Sequence, residues 1–314
     1  MEINDICVIG GGGFVGRHIA HLLAARGLRV QVPARDRERA KNLILLPTVD
    51  VVYADVHAPA ALAELVRGAG AVINLVGVLH DGRGSGSFAQ AHVELTRKVL
   101  AACAATGVRR YLHMSALGAD VNGPSRYQQT KGEAEALVRA SSLDWTIFRP
   151  SVIFGADDRF LNLFAKLQAL TPVMFLAKPG ARFQPVYVED VAAAFARALD
   201  EHSSIGQAFD LCGPQVYTLR EIVALAGRLS GNPRPIVGLG AALSYLQAFA
   251  LELLPVKLMS RDNLASMQVA NVSSAPLPFG LRATAIEAVA RQWFGEATPR
   301  GRYRNYRGHA GRPA

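Results

Sequence analysis

The sequence predicts an α/β fold, a doubly wound parallel sheet with a smaller, mixed carboxyl-terminal region that covers one edge of it. Three observations predict this. Apolar runs at residues 6–9, 30–32, 49–53, 71–78, 111–114 and 145–148 lack polar alternation, as strands covered on both faces do. Helical patterns fill the intervals between them, and strand-helix alternation at that spacing builds parallel sheets. A glycine-rich turn, Gly10-Gly-Gly-Gly13-Phe-Val-Gly16, follows the first run and opens a helix, which is the Rossmann context for such a turn.

The elements follow in order. After the first strand, Phe14, Ile19, Leu22 and Leu23 share one helical face, and the pattern stops at Gly27, where a left-handed cap residue is favoured. Alternation continues to residue 150, so 1–150 reads as the Rossmann domain, its sheet completed by segments within 151–215. Residues 151–296 read as a smaller substrate or interaction region, in which Thr218-Leu-Arg-Glu221 is a capping box opening a helix. Residues 297–314 read as a basic disordered tail. The segment 81–87, rich in Gly and Ser, reads as a mobile loop.

Between Pro235 and Pro255 lie nineteen residues, 236–254, whose polar side chains are Ser244, Gln247 and Glu252. A membrane span needs about twenty apolar residues. Polar side chains and interior glycines weigh against spanning, leaving a helix that lines an apolar cleft, lies in a membrane surface or is simply buried.

Half the residues are hydrophobic and 19% are charged, which excludes a disordered or fibrous chain. Cys7, Cys103 and Cys212 form no CxxC pair, so a reducing compartment is expected, and the acidic start Met-Glu-Ile-Asn-Asp has no signal-peptide character. Both point to a cytoplasmic protein, soluble or peripheral on the inner face of a membrane. The net charge of +9 is concentrated in part at Arg300, Arg302, Arg304, Arg307 and Arg312. That run is either a solvated tail or a long-range attractor for anionic surfaces, and no dedicated nucleic-acid partner is expected.

In the glycine turn, Gly10 permits the bend, Gly13 lets a pyrophosphate approach, and Gly16 packs helix on strand. The helix amides at Phe14 and Val15 face the phosphate charge. Nineteen residues beyond Gly16, where an acid commonly binds ribose hydroxyls, stands Arg35-Asp-Arg37. A guanidinium there suits a 2′-phosphate, so NADP(H) is favoured, with NAD(H) left open by Asp36. Asp55-Val56, after the third strand, falls beside the adenine, and Val76-Gly77, at the end of the fourth, belongs to the same site.

The fifth strand runs into Ser115, and Tyr127-Gln-Gln-Thr-Lys131 follows at a helix start. A spacing of four aligns Tyr127 and Lys131, so the ammonium would favour phenolate and hold the nicotinamide ribose. Ser115 would bind a carbonyl or alcohol oxygen with which Tyr127 exchanges a proton.

This set resembles the extended and atypical branch of the short-chain dehydrogenase/reductase superfamily, which includes sugar-nucleotide epimerases. Arg149-Pro-Ser-Val-Ile-Phe-Gly155 and Gln184-Pro-Val-Tyr-Val-Glu-Asp190 match shared segments of that branch, and the resemblance places Pro150 and Ile153 near the nicotinamide. Ser115-Ala-Leu-Gly-Ala-Asp120, Phe209-Asp-Leu-Cys-Gly-Pro214 and Arg261-Asp-Asn-Leu look like the family of NADPH-binding accessory subunits of respiratory complex I, most of all its bacterial relatives. The likeness runs from about residue 5 to 280.

It implies either an oxidoreductase or a non-catalytic accessory or assembly protein of a complex I-type or ubiquinone-biosynthesis assembly. The apolar carboxyl-terminal region and short Ser-to-Tyr spacing depart from sugar epimerases. A quinone- or isoprenoid-like substrate would suit Phe160, Leu161, Phe164, Met174, Phe175 and the Ile236 to Leu254 helix. His18, His21, His57, His80, His92 and His113 are scattered and no metal site is expected. Asp157 and Asp158 read as solvated loop acids, and Glu189 and Asp190 as acids favouring a helix start.

Overall fold

The computed structural model describes residues 3–254 and 258–294; the expected arginine tail lies outside the described residues. Seven strands form one parallel sheet: β1 (Asp5–Ile9), β2 (Arg29–Ala34), β3 (Val49–Tyr53), β4 (Ala71–Asn74), β5 (Arg110–Met114), β6 (Asp144–Pro150) and the edge strand Gln207–Leu211. Across the sheet the order is edge strand, β6, β5, β4, β1, β2, β3. The chain winds outward from β1 to β3, then crosses back to β4. Between β1 and β4 the direction of winding reverses, which opens a crevice at their carboxyl ends where α/β proteins bind ligands.

Strand periodicity divides the core. In β1, Ile6 and Val8 point to one face and join Val32, Ile73, Phe148 and Phe195, while Cys7 and Ile9 point to the other and join Val72, Tyr111 and Ile147. Helix α1 (Phe14–Ala25) and the helix Val188–Ala198 cover the first face. The helices Pro59–Val66 and Leu95–Thr106 cover the second. Both faces are thus dry, which is why the strands read as unbroken apolar runs.

Helix α1 ends at Ala25, and Gly27 adopts φ +78°, the left-handed cap that the sequence predicts. The capping box at Thr218 and Glu221 is present. Glu189 and Asp190 stand in the first turn of their helix, and Asp190 also accepts from the amide of Thr284 at 2.7 Å. A third apolar cluster, including Phe154, Leu161, Phe183, Ile222 and Ile286, lies under the carboxyl-terminal region.

Three expectations are corrected. The fourth strand ends at Asn74, because the Asn74 side-chain oxygen accepts the amide of Val76 at 3.2 Å and turns the chain out of the ladder. Residues 236–254 are not one helix: Ile236–Gly238 pairs in parallel with Met174–Leu176, and only Ala241–Glu252 is helical. Asp158 is not a solvated acid. It is 4% exposed and accepts the amides of Gly155, Phe160 and Leu161, closing the turn before the helix Leu161–Leu170. Asp157 is exposed and pairs with Arg17 at 3.3 Å.

Candidate cofactor and catalytic site

The glycine turn is built so tightly that side chains are excluded. Gly10 takes φ +87°, and the Gly13 amide donates to the Gly10 carbonyl at 3.0 Å. A Cβ on Gly11 would stand 2.8 Å from the Val32 methyls, and one on Gly16 only 2.4 Å from the Gly10 oxygen. Gly13 is the N-cap of α1 and has no capping side chain, so the first amides of the helix, at Phe14 and Val15, are left for an anion. A bare cradle of this kind, ending in backbone amides, fits a dinucleotide pyrophosphate.

At the end of β2, Arg35 is exposed and its guanidinium donates to Ser85 Oγ at 3.0 Å, so the 81–87 loop meets the second strand there. The Asp36 carboxylate accepts the Glu38 amide at 3.0 Å and caps the short helix Arg37–Ala40. Asp55, past β3, holds the amide of His57 at 3.0 Å, and Val56 packs on the second core face.

The fourth strand leads through Val76 to Gly77, where a Cβ would stand 3.1 Å from the Lys131 Nζ. Lys131 is 3% exposed and donates to the Met114 carbonyl at 3.1 Å. Burial pulls its ammonium down to about 8, opposed by the charge of Glu135 one turn on. Glu135, itself 3% exposed, is gripped by Arg149 through Nε at 2.7 Å, which ties the helix Arg126–Arg139 to β6.

Ser115 directly follows Met114. Its amide donates to the Phe148 carbonyl at 2.7 Å, while its buried Oγ has no hydrogen-bond partner among the described residues. A buried hydroxyl without a partner is costly and marks a position from which a ligand oxygen can be bound. Pro150 is buried at the end of β6, and its carbonyl accepts the Leu117 amide at 2.9 Å. Ile153 pairs with Val186 in a short parallel bridge beyond it.

Tyr127 lies in the first turn of the Arg126–Arg139 helix, partly buried, with its ring edge-on to Phe88 at 5.8 Å and to His92 at 5.5 Å. Burial pushes its phenol up to about 12. Burial moves the phenol in the direction opposite to the shift toward phenolate expected from Lys131.

Sequence reading missed His92 as part of this cluster. It is 1% exposed and lies in the π-helical turn Ala89–Glu94. The Val78 amide donates to its Nε2 at 3.1 Å, so the proton sits on Nδ1, which donates to Thr130 Oγ1 at 2.9 Å. Burial and the Lys131 charge hold the imidazole down at about 2, so it is neutral. One signal was available: Phe88 and His92 are four apart and stack. Asp262 was also missed as a site residue; its carboxylate accepts the amides of Arg126 and Tyr127 at 2.7 and 3.2 Å.

The structure therefore gathers Gly10, Gly13, Gly16, Arg35, Asp55, Gly77, Ser115 and Pro150 at the carboxyl ends of the strands, with Lys131 under Gly77. A family model described as NAD(P)H-binding matches residues 10–202, from the glycine turn to past the helix Val188–Ala198. The chain belongs to this NAD(P)H-binding family.

Within the family, it is 36% identical over 227 residues to the mitochondrial NADH dehydrogenase [ubiquinone] 1 alpha subcomplex subunit 9 of Arabidopsis thaliana, covering 69% of this chain and 56% of the relative. It is 33% identical over 196 residues to a ceramide reductase of Caulobacter vibrioides, covering 61% of each. The chain thus spans less than two thirds of these relatives. The crystal structure of gox2253 shares the fold, with a TM-score of 0.72, 22% identity and coverage of 92% of this chain and 97% of that one. The Arabidopsis relative agrees with the resemblance to complex I accessory subunits drawn from the motifs.

Proposed function

We propose that the protein is an NADP(H)-dependent oxidoreductase acting on a carbonyl or alcohol of an apolar, quinone-like, isoprenoid-like or other lipid molecule. The observation that carries this reading is the unpartnered, buried Ser115 hydroxyl beside Met114, whose carbonyl holds Lys131. Ser115 Oγ donates to the substrate oxygen. Tyr127, protonated at neutral pH, delivers a proton to that oxygen during reduction. Lys131 binds the ribose hydroxyls, and Pro150 and Ile153 wall the nicotinamide. The glycine turn with Phe14 and Val15 holds the pyrophosphate, and Asp55 and Val56 flank the adenine. The bound nucleotide supplies hydride.

Arg35 supports NADP(H) over NAD(H): it stands exposed at the end of β2, while the neighbouring carboxylate of Asp36 is engaged in capping. The ceramide reductase relative supports a long-chain lipid carbonyl as the substrate class. NADPH oxidation followed at 340 nm with quinones and long-chain lipid carbonyls, in wild type and Tyr127→Phe, tests the reading. Loss of rate in the variant with nucleotide affinity retained is expected; equal rates would sink it.

The relation to subunit 9 of mitochondrial NADH dehydrogenase favours a second reading, a nucleotide-bearing accessory protein that binds NADPH for stability and docks on a respiratory assembly. In that case NADPH raises the melting temperature, and no carbonyl is turned over.

A further inference from the structure

The helix Ala241–Glu252 stands on the surface instead of in the core: among its residues only Ser244 and Ala248 are buried. At 3.6 residues per turn, Leu243, Leu246, Ala250 and Leu253 fall away from that buried stripe. The three leucines are 56%, 60% and 71% exposed. The polar side chains of the helix are occupied elsewhere. Ser244 donates to the Leu239 carbonyl, Gln247 to the Phe175 carbonyl at 2.9 Å, and Glu252 pairs with Arg261. Phe175 and Val237, cross-strand partners beside the helix, are 57% and 45% exposed and widen the apolar patch. A helix apolar on both sides belongs in an interior, so an exposed one marks a surface that meets another apolar phase.

The charge around the patch identifies that phase. Beside the helix stand Lys178, Arg220 and Arg261, the last over the Phe249 ring at 5.2 Å, and the one acid of the helix, Glu252, is committed to Arg261. Lys178 lines a hollow with Ala241 and Ser244 at the start of the helix, and Arg220 lies against Gly238. No helix among the described residues is long and apolar enough to cross a membrane.

We propose that this face seats the protein on an anionic phospholipid bilayer, with Ala241–Glu252 lying in the boundary between headgroups and acyl chains. The leucines enter the acyl region and the surrounding cations meet lipid phosphates. The flank of the same helix carries Tyr245, which with Phe88, Arg126 and Asp262 lines a hollow of about 370 Å³ next to Tyr127. The seat itself does not depend on turnover there.

Flotation of the full chain with vesicles of phosphatidylcholine alone, or with phosphatidylglycerol added, tests the proposal. To remove the tail's own attraction, a second full-length protein carries Arg300→Gln, Arg302→Gln, Arg304→Gln, Arg307→Gln and Arg312→Gln. Both proteins should float with the anionic vesicles, less at high salt. Leu246→Asp with Leu253→Asp should cut partitioning on the order of tenfold or more at unchanged melting temperature, because both sites are exposed. Three results would overturn the seat: no flotation of either parent, flotation of the double variant like wild type, or flotation that disappears with the tail arginines alone. A wild-type dimer that the double variant dissolves, without flotation, would assign the patch to a second copy instead.

Discussion

The carboxylate of Asp262 holds the backbone amides of Arg126 and Tyr127 across 136 and 135 positions of sequence, at 2.7 and 3.2 Å. The residue that presents the phenol is therefore fixed by a distant segment, the short helix Arg261–Ser266, as well as by its own N-cap, Ser125. Ser266 reinforces the joint by donating to Ser125 Oγ at 2.8 Å. Asp262→Ala leaves two first-turn amides without that partner and should cost about 1 kcal/mol of stability. On the catalytic reading, kcat falls while NADPH affinity stays, since Lys131 is held separately by Met114. Asp262→Asn keeps one acceptor oxygen and should recover part of both. Thermal melts, NADPH titration and the 340 nm rate check this together; a fall in affinity equal to the fall in kcat would refute the assignment.

Gly16→Ala forces a Cβ to 2.4 Å from the Gly10 oxygen and 2.5 Å from the Gly11 Cα, both backbone atoms with nowhere to go. Overpacking of this kind costs about 1–3 kcal/mol and displaces the turn. The melting temperature should drop, and added NADPH should no longer raise it. Gly13→Ala, whose Cβ would stand 3.1 Å from the Gly10 oxygen, should be milder on stability. Melts with and without nucleotide separate the two.

Arg35→Ala tests the choice of nucleotide. Hydrogen bonds to charged groups contribute about 1.5–3 kcal/mol, so NADPH affinity should fall roughly ten- to a hundredfold. NADH affinity should hardly change. Calorimetric titration with both nucleotides reads the difference, and an equal loss for each would remove Arg35 from the 2′-phosphate site.

Much of this was legible because it is local or periodic. Strands such as Ala71–Asn74 are buried on both faces and so carry unbroken apolar runs. The glycine turn is a short-range device, and Tyr127 and Lys131 share a helix whose pitch sets their spacing. What escaped the sequence depends on partners far along the chain. Nothing near Asp262 announces that it caps a helix beginning at Arg126. His92 enters the site through a π-helical turn, whose pitch differs from the α-helical one. Asp158 looks like any loop acid until four amides, from Gly155, Phe160, Leu161 and Asn162, converge on it. The 236–254 run hid a strand-to-helix boundary at Gly238-Leu-Gly240, because apolar residues suit a strand and a helix equally.

The two buried imidazoles beside Lys131 make stability depend on pH. Burial, followed by the Lys131 charge, holds His92 at about 2 and His113 at about 3, below the ordinary 6.5. Because the folded values are depressed, the unfolded chain binds protons between roughly pH 3 and 6.5 that the folded chain refuses. Stability therefore rises with pH through that window, is fully present above 6.5, and is lost as pH falls. Each imidazole contributes a slope of at most about 1.4 kcal/mol per pH unit. His113 is the better probe, since its Nε2 has no hydrogen-bond partner among the described residues and its Nδ1 meets only the Tyr111 hydroxyl, at 3.3 Å. His113→Leu removes one titrating group from the core. Urea unfolding at pH 7, 6 and 5 should show the variant gaining on wild type at each step down, by up to that slope. Parallel curves would mean that His113 takes up its proton in the folded protein, and that the Lys131 ammonium does not suppress it.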